Sequence, residues 1–189
     1  MVDNFELLSN IIDSEIKENT FYICDLIYRS KDGSDLYRKE KICTYYIDRK
    51  GLLNELKSEI VRICDDTGAR AYLNLSPSLN DVVMKKILLL SSERVCCGDF
   101  KKPWRIIDKA IGRSRNRYNK KYLIDVDSEY LDQSDSMLEF LNECHVEVIA
   151  VVNTKTGLHI ITKPFDVRAF NEKFDIEVQK NIPTILYIP

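Results

Sequence analysis

The sequence predicts an α+β protein in which an N-terminal αβ module packs against a C-terminal ferredoxin-like, RRM-like unit, with a cleft between them. Three observations predict this fold. Strand-like and helical spacings of apolar residues alternate along the chain, the last third carries a complete β-α-β-β-α-β order, and 189 residues suffice for one sizeable core. We therefore assign residues 1–120 to the N-terminal module and residues 121–189 to the C-terminal unit, and expect one compact body.

The N-terminal module is predicted to begin with a helix and a hairpin. Apolar residues recur at helical spacing over residues 5–17, which indicates a short amphipathic helix. Strand-like runs at Phe21–Tyr28 and Ile42–Ile47 enclose a charged, turn-rich segment, which indicates a β-hairpin with a long loop. A second helix is expected over Leu52–Cys64, where the apolar spacing is again helical, and a strand over Arg70–Leu75 follows it.

The same module is predicted to end in a helix and a basic connector. Asn80 or Asp81 is a suitable N-cap for a helix that runs toward Cys96. Residues 98–120 contain glycine, proline and a cluster of cations, so we expect an irregular segment that joins the two halves.

The C-terminal unit has the most regular pattern of the chain. Its second strand is apolar at nearly every position from Val148 on, so both faces of the strand should be covered, and the N-terminal module is the available cover. The order of elements is the ferredoxin-like one. The predicted elements are strand Lys121–Asp127, helix Met137–Cys144, strand Val146–Val152, a turn at Asn153–Gly157, strand Leu158–Thr162, helix Val167–Phe174 and strand Thr184–Ile188.

Composition excludes several classes of protein. The 28 basic and 30 acidic side chains give a formal net charge of −2, so any nucleic-acid-binding surface has to be local. The first residues lack a signal-peptide pattern and no apolar run approaches the ~20 residues of a membrane span, so we expect a cytoplasmic protein without membrane contact. The six cysteines lack the Cys-x-x-Cys spacing of zinc sites, and we expect them to be reduced and mostly buried.

Three residues of the C-terminal unit predict a functional site. Asp125 and Asp127 lie on its first strand and His159 lies on its third, and these two strands are neighbours in a ferredoxin-like sheet. Strand periodicity puts both carboxylates on one face, where they repel each other unless a cation, hydrogen bonds or water balance them. Mg²⁺ or Mn²⁺ carrying a nucleoside triphosphate suits this pair, with His159 contacting a phosphate or orienting the site. An exposed strand end and a structural histidine are the alternatives.

Two short motifs resemble those of the archaeo-eukaryotic primase superfamily. Tyr122-Leu123-Ile124-Asp125-Val126-Asp127 is similar to its first motif, hydrophobic residues followed by Asp-hydrophobic-Asp, and Gly157-Leu158-His159 is similar to its second, small-any-His. The resemblance implies that both aspartates hold divalent metal, that His159 contacts the nucleotide and that the chain catalyses nucleotidyl transfer. It covers residues 121–189, and the zinc-binding element of many such primases is absent, which indicates a minimal or degenerate phage- or mobile-element-type member.

A third acid is needed to complete the resemblance. The family's third motif is hydrophobic-Asp on a later strand, and Phe165-Asp166 matches its letters, which makes Asp166 a candidate catalytic acid. The same residue is also placed to cap the next helix. Asp175 is a poorer candidate, and the last strand contains no acid.

Cations cluster between Lys101 and Lys121, directly before the strand that carries the aspartates. We expect them to bind phosphates or a single-stranded template, with Trp104 and Tyr118 stacking on bases, and an ordinary solvated loop is the alternative. The residues predicted to bind the nucleotide are Arg70, Arg113, Arg115 and Lys163.

The sequence therefore favours a primase-polymerase-like nucleotidyltransferase that uses Mg²⁺ or Mn²⁺, a nucleoside triphosphate and a single-stranded template. The alternatives are a catalytically inactive primase-like module that binds nucleic acid, a metal-dependent nuclease, and a purely structural or partner-binding protein. No feature of the sequence indicates an oligomeric state.

Overall fold

The structure is a computed structural model that describes residues 1–28, 40–114, 119–180 and 182–189. Within these residues the protein is α+β, with seven α-helices and two antiparallel sheets. The helices are α1 (Phe5–Glu15), α2 (Leu52–Glu55), α3 (Lys57–Thr67), α4 (Asn80–Cys96), α5 (Arg105–Ser114), α6 (Ser134–Glu143) and α7 (Arg168–Phe174). The strands are β1 (Val2–Asp3), β2 (Thr20–Tyr28), β3 (Glu40–Ile47), β4 (Arg70–Leu79), β5 (Tyr122–Val126), β6 (Val148–Asn153), β7 (Leu158–Thr162), β8 (Val178–Lys180) and β9 (Thr184–Ile188).

The first sheet has five strands in the order β1-β9-β4-β2-β3. The predicted hairpin is confirmed, because β2 and β3 pair antiparallel from Tyr22 with Ile47 onward. Both faces of β2 are covered, which explains its nearly continuous apolar composition. Tyr22 and Cys24 lie in a core with α1 and α3, whereas Phe21 and Ile23 lie in a separate core with α4 and α5.

The second sheet has four strands in the order β6-β7-β5-β8, and all of its pairs are antiparallel. Its last strand corrects the sequence analysis. We predicted Thr184–Ile188 in this position, but that segment is β9 and lies in the first sheet between β1 and β4. The short Val178–Lys180 takes the predicted place beside β5. An apolar strand pattern specifies which faces are buried, and it does not specify which neighbours supply the backbone hydrogen bonds.

The basic connector is also more regular than predicted. Residues 105–114 form α5, whose Ala110 and Ile111 are buried against Phe21 and Ile23 of β2. Only one narrow face of this helix is buried, so few of its residues are apolar. The charged residues between them make the helical periodicity hard to recognise. The predicted helix over Leu52–Cys64 is divided at Leu56 into α2 and α3.

The two sheets share a core. Ala150, Val152 and Ile161 of the second sheet belong to the same buried cluster as residues of α1, β2 and β4. These contacts cover the face of β6 that does not pack on the helices, as the apolar composition of this strand predicted. The opposite face of the second sheet packs on α6 and α7 through Ile124, Val126 and other residues of a separate cluster.

A buried ion pair also joins the two halves. Lys121 is 2% exposed and donates from Nζ to Glu15 Oε2 at 2.6 Å and to the Leu75 carbonyl at 3.0 Å. The Tyr22 hydroxyl donates to the same Glu15 oxygen at 2.9 Å. Burial lowers the pKa of the Lys121 ammonium, and the contact with Glu15 opposes that shift. The pair therefore fixes α1 and β4 against the start of β5.

The cysteines are all free, as predicted, but their expected burial is wrong for half of them. Cys24 and Cys64 are buried, Cys43 is partly buried, and the remaining three are exposed at the ends of α4 and α6. Among the described residues, no helix combines the length and apolar character needed to cross a membrane.

Candidate functional site

A cavity of about 220 Å³ lies where the two sheets meet, and we call it the aspartate cavity. The first sheet contributes residues of β4 and β9, and the second sheet contributes β7, β8, the end of β5 and the turn before β7. Its wall therefore combines distant parts of the chain. The charged and strongly polar side chains of its lining are Arg70, Asp125, Asp127, Lys155, His159 and Gln179.

Asp125 and His159 are direct cross-strand partners on β5 and β7, which confirms the predicted juxtaposition. His159 Nε2 lies 3.2 Å from Asp125 Oδ1, and His159 Nδ1 lies 2.8 Å from Thr184 Oγ1 of β9. A neutral ring satisfies both contacts when Nε2–H donates to the carboxylate and the Thr184 hydroxyl donates to Nδ1. His159 is 8% exposed and links the two sheets, whereas the side chain of Asp125 is 40% exposed. The histidine therefore holds Asp125 in place while leaving it accessible from the cavity.

Asp127 lies one residue beyond the end of β5 and is exposed. Alternation along the strand puts it on the same face as Asp125, away from Ile124 and Val126, which face the helices. The backbone here is closely approached by Gly157: a Cβ on Gly157 would clash with the Val126 carbonyl oxygen and lie 3.2 Å from the Asp127 Cα. The small residue of the Gly157-Leu158-His159 motif is thus required by the packing of the turn against the strand that carries both acids.

Two cations line the cavity beside the carboxylates. Arg70, predicted from the sequence, is the first residue of β4 and only 9% exposed. Lys155, which the sequence analysis did not single out, is exposed on the turn between β6 and β7. That turn is closed by hydrogen bonds from Thr154 N to the Gly157 carbonyl at 2.9 Å and from Gly157 N to Thr154 Oγ1 at 3.0 Å. Lys155 lies two residues before Gly157 of the second motif, and this spacing was the signal available in the sequence.

Gln179 is the second lining residue that the sequence analysis missed. It lies on β8 opposite Leu123 of β5, and Leu123 is two residues from Asp125, so the Gln179 side chain is on the aspartate face of the sheet. A neutral amide does not match an acidic motif, so this position carries no signal in the sequence.

Several predicted residues do not reach the cavity. Asp166 is exposed at the start of α7, where it accepts hydrogen bonds from the backbone N–H of Arg168 at 3.2 Å and from its Nε at 2.9 Å. Contacts with Arg168 lower the pKa of Asp166 to about 2. The segment follows Thr162, which pairs with Tyr122 at the opposite end of β5 from Asp127. Asp166 is therefore not brought to the aspartates. The alternative prediction, that Asp166 is the N-cap of the helix, is also wrong, because Val167 occupies that position and Asp166 bonds the Arg168 N–H from one residue before it.

The remaining predicted cations are also separate from the aspartates. Lys163 lies at the same far end of the sheet, with Nζ 3.5 Å from Asn119 Oδ1. Arg113 is exposed in the last turn of α5 and does not line the cavity. Arg115 lies outside the described residues.

The donor set limits the chemistry of the cavity. Among the residues that the structure describes, no group of three or more His, Cys, Asp and Glu side chains is arranged to hold a metal ion. Two carboxylates fit Mg²⁺ or Mn²⁺ when phosphate oxygens and water complete the coordination, and the two cations fit the phosphates. Comparison of the chain with models of protein families, with curated proteins and with solved structures finds no significant match.

Proposed function

We propose that the aspartate cavity binds a nucleoside triphosphate together with Mg²⁺ or Mn²⁺, and that the protein is a primase-polymerase-like nucleotidyltransferase. The observation that carries the proposal is the convergence of Asp125, Asp127 and His159 with Arg70 and Lys155 in one cavity between two sheets. Acidic metal ligands beside phosphate-binding cations are the components that phosphoryl chemistry requires. In this proposal the second sheet is a ferredoxin-like unit and the aspartate cavity is the cleft between the halves.

Each residue has a separate task in the proposed reaction. The 3′-hydroxyl of a growing strand gives up its proton to water and attacks the α-phosphorus, a new P–O ester bond forms, and the bond to the leaving pyrophosphate breaks. Arg70 and Lys155 bind the negatively charged phosphates and orient them. Asp125 and Asp127 hold the divalent ion, which would stabilise charge on the phosphoryl oxygens. His159 fixes the orientation of Asp125 through its 3.2 Å contact, so we assign it a positioning role in place of the phosphate contact predicted from the sequence, because Thr184 and Asp125 already engage both ring nitrogens.

A second candidate, metal-nucleotide binding without transfer, is favoured by one observation. Gln179 lies on the later strand that flanks β5 and lines the cavity, but its amide has no negative charge to hold a second metal ion. Asp166 does not compensate, because it is exposed at the far end of the sheet. The wild-type protein separates the two candidates, because only a nucleotidyltransferase extends a primer without substitution. If the missing carboxylate is what prevents transfer, the Gln179→Asp variant of the binding protein should gain it.

Titration calorimetry with Mn²⁺ and a nucleoside triphosphate tests the binding step. We expect heat from the pair of ligands and little heat from Mn²⁺ alone, since two protein carboxylates leave most of the coordination to the nucleotide. Asp125→Asn combined with Asp127→Asn should abolish the signal. The matched control Asp132→Asn, an exposed residue of the 3₁₀ helix Ser128–Gln133 after β5, should retain it. Unchanged binding in the double variant would refute the proposal.

Extension of a labelled primer on a template tests the transfer step. Longer products with the wild-type protein, lost in the Asp125→Asn variant, support nucleotidyl transfer. Shorter products would instead indicate a nuclease at the same aspartates. Binding without any product in both wild type and Gln179→Asp would leave the non-transferring candidate.

A further inference from the structure

A second, larger cavity of about 500 Å³ lies between α4 and α5, at the loop that connects them. Its lining has five cations against two acids, Glu93 and Asp99, so positive charge dominates in a protein whose formal net charge is −2. This local surplus is the kind of basic surface that overall composition does not reveal. The cations are Arg94, Lys101, Lys102, Arg105 and Lys109.

Arg94 organises the loop between the helices. Its guanidinium donates to the carbonyls of Asp99 at 3.2 Å, of Lys102 at 3.3 Å and of Lys101, and it forms an ion pair with Asp99 Oδ2 at 3.0 Å. Lys102 has a φ of 52°, which is uncommon for a residue with a side chain. Arg105 N also donates to the Lys102 carbonyl, at 3.1 Å, so this conformation is held from both helices. These contacts fix the backbone of the loop that carries the lysines.

One of the two acids is already balanced. The backbone N–H of Lys101 and the side chain of Arg94 lower the pKa of Asp99, so this carboxylate stays ionised and paired within the loop. The other lysines and arginines of the lining, unlike Arg94, are directed to the outside: Lys101, Lys102, Arg105 and Lys109 are all exposed.

Two exposed aromatic rings accompany these cations. Phe100 is 72% exposed and Trp104 is 65% exposed, and they flank Lys101 and Lys102 in the sequence. Large aromatic side chains are normally buried, and a pair left in water beside cations is the combination that binds single-stranded nucleic acid. Cations bind the phosphates, and the rings stack on bases. An acidic peptide would use the charges but not the rings.

The position of α5 connects this surface with the aspartate cavity. Ile111 and Gly112 of α5 line a further cavity of about 350 Å³ together with Asn74 of β4. Asn74, Tyr72 and Arg70 are spaced by two residues, so they share one face of β4, and Tyr72 and Arg70 line the aspartate cavity. Helix α5 and the aspartate cavity therefore both lie against this one face of β4.

We propose that the α4–α5 surface, defined as Arg94, Phe100, Lys101, Lys102, Trp104, Arg105 and Lys109, binds single-stranded nucleic acid. The cations contact phosphates and the two aromatic rings stack on bases. That the bound strand serves as a template rests on the proposed function, whereas the binding itself does not require metal or nucleotide.

The chain contains one tryptophan, so its fluorescence reports directly on this surface. The full chain would be titrated with oligo(dT) and with oligo(U) in EDTA, following Trp104 emission and the anisotropy of a labelled oligonucleotide. We expect quenching that accompanies binding, and an affinity that falls steeply with salt. Binding of either oligonucleotide supports the proposal, and the tighter of the two identifies the sugar chemistry.

Substitution of the cations provides the decisive comparison. In Lys101→Ala with Lys102→Ala and Arg105→Ala, the affinity at low salt should fall by about tenfold or more, and the slope of log K against log salt should become shallower by about 2, since each single-strand phosphate contact contributes about 0.7. The matched control removes three exposed cations elsewhere and should bind as the wild type does. It combines Lys50→Ala, Arg62→Ala and Lys173→Ala.

Three outcomes would overturn the proposal: equal loss in the control variant, binding that leaves Trp104 emission unchanged, or polyglutamate binding with the same affinity and the same quenching. The result is separable from the proposed function. Asp125→Asn with Asp127→Asn should lose metal-nucleotide binding and keep oligonucleotide binding. A negative result for one of the two ligands therefore does not affect the test of the other.

Discussion

Substitution of Gly157 by alanine tests the physical basis of the aspartate cavity. The added Cβ would clash with the Val126 carbonyl oxygen and lie 3.1 Å from the Val126 carbonyl carbon and 3.2 Å from the Asp127 Cα. All three contacts are with backbone, so no flexible side chain can move aside. Overpacking of this kind costs typically about 1–3 kcal/mol. For a chain of this length each kcal/mol lowers the melting temperature by about 2–4 °C, so we expect a decrease of roughly 2–12 °C.

The matched control is Gly112→Ala on α5, where a Cβ would have no atom within 4 Å. Alanine is favoured over glycine in a helix by about 0.5–1 kcal/mol, so this variant should melt at or above the wild-type temperature. Thermal unfolding followed by circular dichroism measures both. Calorimetry with Mn²⁺ and nucleotide should also show weaker binding for Gly157→Ala, because relief of the clash displaces Asp127. A Gly157→Ala variant with wild-type melting temperature and wild-type binding would refute the argument.

Three further predictions concern other parts of the fold. Lys121→Met should destabilise the protein by about 2–4 kcal/mol in urea titrations, since Glu15 loses a buried partner, and a second substitution Glu15→Gln should recover part of this loss. Thr162→Val should leave stability unchanged or raise it by up to about 1 kcal/mol, because within the described residues the buried Thr162 hydroxyl has no hydrogen-bond partner; a clear loss would contradict this. Ellman's reagent at about pH 8 should modify three thiols quickly in the folded protein, and not Cys64, whose pKa burial raises to about 12. The reactive thiols are Cys96, Cys97 and Cys144.

The core of the candidate site could be predicted because it depends on local periodicity. Side-chain alternation along β5 and the antiparallel neighbour β7 are enough to place Asp125 beside His159. The prediction of Arg70 rested on weaker evidence, namely that it is a cation at the start of a strand. Its position in the cavity depends on how the two sheets pack.

What the sequence did not reveal depends on long-range pairing. Thr184–Ile188 has the same nearly continuous apolar composition whether it lies beside β5 or beside β4, and the backbone pairing with Ala71, Tyr72 and Leu73 decides between them. The position of Gln179 also depends on long-range pairing. Its place on the aspartate face follows from its pairing with Leu123, and an amide in a three-residue strand has no motif of its own.

The location of β9 affects how the protein folds during its synthesis. β4 and β9 are more than a hundred residues apart in the sequence, and β1 pairs with β9 across nearly the whole chain. Until Thr184–Ile188 leaves the ribosome, β4 has one unpaired edge, which is exposed to association with other chains. Contacts of such high sequence separation also slow folding. The nascent protein therefore passes through a stage in which β2, β3 and β4 are synthesised while the first sheet is still incomplete, and chaperone binding is expected at the open edge of β4.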